Sequence, residues 1–107
     1  MSLRNYGTLG YGCWTLTNVE YSDSDRLIRT ALDHDIRLID TADIYGFGTP
    51  AGFGGAEARL GEILAQDPSL RDRMILATKG GITPPRPYDS SRDYLMGALE
   101  NSLQRLQ

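Results

Sequence analysis

The sequence has 107 residues, with 11 basic against 14 acidic side chains and a formal net charge of −3, which bounds it to one domain and argues against the basic face that nucleic-acid binding needs. With 40% hydrophobic and 23% charged residues, it reads as globular rather than disordered. A single cysteine, Cys13, and a single histidine, His34, exclude an internal disulfide and the paired Cys and His spacings of metal sites, and they leave a Ser-His-Asp triad almost without candidates.

The elements are expected in strand-then-helix order. The first strand is predicted over residues 8–14 (TLGYGCW), where Gly10 and Gly12 weaken a strand but let a backbone or ligand approach closely. A helix follows over about 23–33. Ser22 and Asp25 have capping-box spacing, with aspartate in place of the usual glutamate. Leu27, Ile28, Ala31 and Leu32 share one helical face. The second strand, 36–40 (IRLID), is short, rich in branched residues and ends in an acid.

The loop 41–55 carries Gly46, Gly48, Gly52, Gly54 and Gly55, so it is either mobile or shaped around something. A second helix is predicted over 56–66, with Ala56, Leu60, Ile63 and Leu64 as its buried stripe. Gly61 within it costs up to ~1 kcal/mol relative to alanine, which a close approach to a sheet would explain. Asp67 and Pro68 end that helix. The third strand is predicted over 74–79 (MILATK), introduced by Arg71, Asp72 and Arg73. The loop 80–89 is stiffened by Pro84, Pro85 and Pro87. A third helix is expected from Ser90, which has capping-box spacing to Asp93, with Leu95, Leu99, Leu103 and Leu106 as its core face.

Strands separated by helices favour parallel pairing through right-handed crossovers, so the fold class is α/β. A closed eight-stranded barrel needs roughly 250 residues. The sequence supplies about three βα units, and an open sheet of three parallel strands leaves an edge and an apolar face uncovered. Residues 1–107 are therefore expected to be a piece of a larger barrel, or copies of the chain to assemble into one. No apolar run approaches the roughly 18 residues of a membrane span. Met1 to Asn5 lack the layout of a signal peptide. The cytoplasm is the expected compartment.

Three polar residues stand where strands end. Asp40 closes the second strand, Tyr45 follows in the loop, and Lys79 closes the third. In a parallel barrel all strand C-termini open on one face, where active sites sit. A phenol titrates near pH ~10 and is a poor acid at neutrality. A neighbouring ammonium favours its ionised form. Lys79 can supply that ammonium, with Asp40 holding it, so that Tyr45 donates a proton to a carbonyl oxygen as it becomes an alkoxide. The plainer alternative is a structural Asp40, a packed Tyr45 and a solvated Lys79.

Other features carry less chemistry. The glycine-rich loop lacks the Lys-Ser/Thr pair of a phosphate-binding loop, and no G-x-G-x-x-G occurs. Phe47 and Phe53 either line a pocket or pack within their loop. Cys13 has no partner histidine that would make it a nucleophile. His34 falls at the end of the first helix, away from the strand ends, where the helix dipole accommodates it.

The segments LGYGCW (9–14), IDTADIYG (39–46), LGEIL (60–64), ILATKGG (75–81) and LENSLQRL (99–106) occur in one order. Together they resemble the N-terminal part of the aldo-keto reductases, over nearly the whole chain. The ADIYG loop and the RDRMILATKGGI stretch look most like the bacterial oxidoreductase branch. The resemblance implies a (β/α)8 TIM barrel of which these residues form about the first three βα units. It also implies NADP as cofactor, used as NADPH, and reduction of aldehydes or ketones. By the same resemblance Asp40, Tyr45 and Lys79 are the catalytic residues. Cys13, Trp14 and Asp40 face the cofactor, with Asp40 on the nicotinamide ribose, and Trp14 and Tyr45 line the substrate pocket. Cys13 takes a place where the family more often has threonine.

The family's catalytic histidine follows the fourth strand and its main site for the NADPH phosphate lies later still; neither has a counterpart in these residues. Asp35 stands where the family commonly has glycine, in a turn whose left-handed backbone aspartate tolerates. The partners implied are a small carbonyl compound and either a second copy or the remainder of a barrel, with no nucleic acid and no membrane. The rival reading is a non-catalytic fragment or interaction subunit that keeps the fold without the reaction.

Overall fold

The computed structural model describes residues 7–107; Met1 to Asn5, read above for an export signal, lie outside the described residues. Three parallel strands, β1 (Gly10–Gly12), β2 (Leu38–Asp40) and β3 (Ile75–Ala77), form one sheet in the order β1-β2-β3. They alternate with α1 (Tyr21–Asp33), α2 (Gly55–Gln66) and α3 (Arg92–Leu106). Short 3-10 turns stand at Leu16–Asn18 and Pro68–Arg73. Among the described residues no helix is long and apolar enough to cross a membrane.

The register aligns Tyr11, Ile39 and Leu76 across the sheet, and Gly12, Asp40 and Ala77 one step later. Side chains alternate between the two faces of a strand. Ile39 is fully buried, and Tyr11 and Leu76 pack against the same core as Ile28, Leu32, Leu60, Ile63 and Leu106 from the helices. That parity puts Ile39 on the helix-covered face and Asp40 on the other. The same alternation carries beyond the strands, where Thr41 and Cys13 are buried and Lys79 is exposed.

Each strand is shorter than its apolar pattern predicts, because the parallel ladder covers three residues where patterns of five to seven residues were expected. Helix α1 begins at Tyr21 after Glu20, so Ser22 lies inside it and caps nothing. Its buried stripe is Ser24, Ile28, Ala31 and Leu32, with Leu27 turned toward solvent. Ser24 replaces Leu27 because its hydroxyl finds partners. It donates to the Leu16 carbonyl (2.7 Å) and accepts from Arg59 Nη1 (2.7 Å). The cap of α3 is Ser91, one residue later than expected, with its Oγ accepting from the Tyr94 amide. Asp67 starts the second 3-10 turn by accepting from the Ser69 amide, with Pro68 at its first position. Asp35 adopts the left-handed conformation its turn needs, at φ 63°.

Two helix contacts differ in kind from expectation. Gly61 makes room for the last turn of α3 rather than for the sheet: a Cβ there would overlap the Arg105 carbonyl oxygen. Leu95, Leu99 and Leu103 are exposed, and Leu106 alone of that leucine stripe is buried. The stripe overhangs the β3 edge, and among the described residues no further strand lies there to cover it. Leu103 and Leu106 line a groove of about 610 Å³ with Leu64 and Leu76.

The glycine-rich loop is built from successive turns. The amides of Phe47, Thr49, Gly52 and Gly55 donate in sequence to the carbonyls of Ile44, Gly46, Thr49 and Gly52. It ends at Gly54, whose left-handed backbone (φ 84°) serves as the N-cap of α2.

Candidate active site

Pairing continues just past the strand ends and fixes the residues that follow. The Cys13 amide donates to the Asp40 carbonyl (2.9 Å), the Thr41 amide to the Ala77 carbonyl (2.8 Å), and the Asp43 amide to the Lys79 carbonyl (3.1 Å). Asp40 and Lys79 thereby stand side by side on the face away from the helices. Lys79 Nζ donates to Asp40 Oδ2 (2.9 Å) and to the Thr41 carbonyl (3.0 Å).

Tyr45 joins them from the loop. Its carbonyl accepts from the Ala56 amide in the first turn of α2 (3.1 Å), which anchors the loop to that helix. Lys79 Nζ lies 4.6 Å from the centre of the Tyr45 ring. The other neighbour of the ring is Trp14, at 5.6 Å between centroids with a 35° tilt. Trp14, Ile44, Tyr45, Gly46 and Phe47 line a shallow recess of about 160 Å³.

Burial works against the charge of Lys79, but its interactions with Tyr45 and Asp40 outweigh it and the pKa of Lys79 is raised. Lys79 is therefore a fixed cation at neutral pH. The pair is half-exposed, with side chains 51% and 43% accessible for Lys79 and Asp40, so it contributes geometry more than stability.

Cys13 lies beneath this group with no exposed surface. Burial, and secondarily the charge of Asp40, push its thiol up to about 12 against the pull of Lys79. Its thiol is part of the packing behind the site and not of the accessible wall. His34 caps α1 at the opposite end of β2, with its ring Nδ1 3.1 Å from the Thr30 carbonyl. Phe47 belongs to the recess beside Tyr45, whereas Phe53 lies under the Arg105 guanidinium, 5.8 Å from it.

Behind the site is an ionic cluster that sequence reasoning missed. Glu57, in the first turn of α2, is fully buried. Its Oε1 accepts from Arg105 Nε (2.8 Å) and its Oε2 from the Thr78 hydroxyl (2.7 Å). Asp43 is almost as buried, and burial, with the charge of Glu57 behind it, raises its carboxyl pKa despite Arg105. One signal was available: Glu57 sits three and seven positions before Leu60 and Leu64, on the buried stripe itself. An acid there needs a buried partner. Nothing in the local sequence points to Arg105, 48 positions away.

In the accessible part of the site, half-exposed Asp40 offers a carboxylate that can accept from a ligand hydroxyl, and exposed Trp14 offers an apolar wall. Comparison with known proteins identifies the family. The sequence model described as "Aldo/keto reductase family" matches residues 8–107. The chain is 55% identical to a 6-dehydroglucose reductase of Novosphingobium aromaticivorans, over 92% of this chain and 33% of that protein. It is 36% identical to the uncharacterized oxidoreductase YcsN of Bacillus subtilis, over 91% of this chain and 34% of the other. Among solved structures it is similar to the holo form of aldo-keto reductase AKR11C1 from Bacillus halodurans, at 32% identity and a TM-score of 0.70 over 92% of this chain and 32% of that one.

The chain belongs to the aldo-keto reductase family. Its three βα units are a segment of a (β/α)8 TIM barrel, and it spans about a third of the length of the relatives it matches.

Proposed function

We propose that these residues are the N-terminal, acid–base portion of an NADPH-dependent reductase that converts aldehydes or ketones to alcohols. The observation that carries the reading is the Lys79 ammonium, bonded to Asp40 at 2.9 Å and 4.6 Å from the centre of the Tyr45 ring. NADPH, when bound, would supply the hydride for the carbonyl carbon. Tyr45 donates its phenolic proton to the carbonyl oxygen, and the C=O bond becomes a CH–OH group. Lys79 stabilises the phenolate left behind, which regains its proton from water. Asp40 holds Lys79 and offers an acceptor to the nicotinamide ribose. Trp14 forms the apolar wall beside the reacting carbonyl.

The relative named 6-dehydroglucose reductase supports an oxidised sugar of that kind as the first substrate to assay. The cytoplasm is the proposed compartment, where NADPH is at hand and a lone cysteine stays reduced. The deciding experiment compares the intact protein with Tyr45→Phe for NADPH oxidation and for NADPH binding by calorimetry. Loss of turnover with binding retained is the expected result. Turnover near the original in the phenylalanine variant would remove the mechanism.

A further inference from the structure

We propose that Thr78, Glu57 and Arg105 are positioning residues for Lys79, fixing the backbone from which its ammonium reaches Asp40 and Tyr45. The proposal rests on the catalytic reading of Lys79 and adds residues that touch neither substrate nor cofactor.

The β3 ladder ends at Ala77, so Thr78 and Lys79 lie beyond regular pairing. From the β2 side the segment is held at two carbonyls, Ala77 by the Thr41 amide and Lys79 by the Asp43 amide. Those bonds hold the carbonyls on either side of residue 78. Its side chain adds a restraint from the helix side. Strand alternation turns Thr78 to the helix face whenever Lys79 turns to the open one. Anchoring the Thr78 hydroxyl on Glu57 at 2.7 Å therefore sets the direction of Lys79.

The anchor is itself rigid. Glu57 is fully buried on α2, and the Arg105 guanidinium holds its other oxygen through Nε and Nη2, both at 2.8 Å. Hydrogen bonds to an ionised carboxylate are shorter and stronger than neutral ones. A path of charge-assisted bonds thus runs from the last turn of α3, through α2, to the residue beside Lys79. The same α3 turn is seated against Gly61 by direct backbone contact.

The test measures acylation of Lys79 by a lysine-directed reagent across pH, read by mass spectrometry, in the protein and in Thr78→Val, Thr78→Ser and Asp40→Asn. The partners of Lys79 keep it protonated and slow to react, so Asp40→Asn labels faster. Thr78→Val keeps the shape of threonine and leaves the Glu57 pair with Arg105 intact. It is expected to label about threefold faster at a fixed pH below the lysine midpoint, equivalent to half a pKa unit. Thr78→Ser, which restores the hydroxyl, is expected to return the original rate. If the valine variant melts below the assay temperature, Thr78→Ala is read by the same criterion. The proposal is overturned if Thr78→Val labels at the original rate while Asp40→Asn labels faster, or if serine behaves as valine does. Labelling requires no turnover, so a Tyr45→Phe protein with full activity would end the catalytic reading and leave this comparison to be judged separately.

Discussion

Gly61 of α2 faces the carbonyl oxygen of Arg105 in α3 so closely that no side chain fits between them. Alanine would improve helix propensity by up to ~1 kcal/mol. The atom it would strike belongs to backbone, which cannot swing away, and overpacking of this kind costs about 1–3 kcal/mol. The clash wins, and Gly61→Ala is expected to destabilise the protein by about 2 kcal/mol, the ~3 kcal/mol upper end of the overpacking cost less the ~1 kcal/mol gain in propensity. Urea unfolding measures it. An unchanged or higher midpoint would show that the helices separate freely.

Tyr45→Phe keeps the ring that packs beside Trp14 and Lys79 and removes only the hydroxyl. Carbonyl reduction in the intact protein is expected to fall by ~10²-fold or more, the usual contribution of a general acid. NADPH affinity should be unchanged. A rise in KM with kcat intact would assign the hydroxyl to substrate binding instead.

Arg105→Met strips the buried Glu57 of its cation and leaves the Thr78 hydroxyl as its partner. Breaking a buried pair from one side costs about 3 kcal/mol, whereas replacing both partners by apolar groups is often neutral. The double variant Arg105→Met with Glu57→Leu is therefore expected to recover much of the stability lost by the single one. Thermal unfolding of the set would show it. A double variant as weak as the single would mean that volume, rather than uncompensated charge, dominates.

Cys13 gives a pH signature. Its thiol is raised from the ordinary 9.0 to about 12 by burial, with Asp40 adding to the effect. A group whose folded pKa lies above its unfolded one stabilises the fold below the unfolded value and loses that contribution as pH rises through the folded one. Stability should fall from about pH 9 upward, by as much as ~1.4 kcal/mol per pH unit. Cys13→Ala should flatten that decline. Alkylation of the folded protein at pH ~8 should be slow, because the thiolate is the nucleophile.

What could be read in advance follows from the range of each interaction. Helix positions were close because a buried stripe such as Leu60, Ile63 and Leu64 repeats locally. Asp40, Tyr45 and Lys79 converge because parallel strands open on one side, a property of topology that strand order alone reveals. The paired strands are shorter than their apolar patterns, since an apolar residue such as Ile36 marks burial but not whether a neighbouring strand reaches it. Periodicity puts Leu27 on the buried face of α1, where Ser24, polar in the sequence, stands instead because it finds two partners in the fold. The leucines of α3 looked like core, and periodicity carries no information on which face has an element to cover it. Glu57 and Arg105 pair across 48 positions, and only the packing of α2 on α3 joins them.

Trp14 is the sole tryptophan of the chain, 72% exposed and stacked at a tilt beside Tyr45. Its emission therefore comes from one place, the edge of the recess. A nicotinamide settling there would quench it, by contact and by energy transfer to the reduced ring. Within these residues, a ligand settling at the edge of the recess is therefore expected to change the emission of Trp14, with no label added.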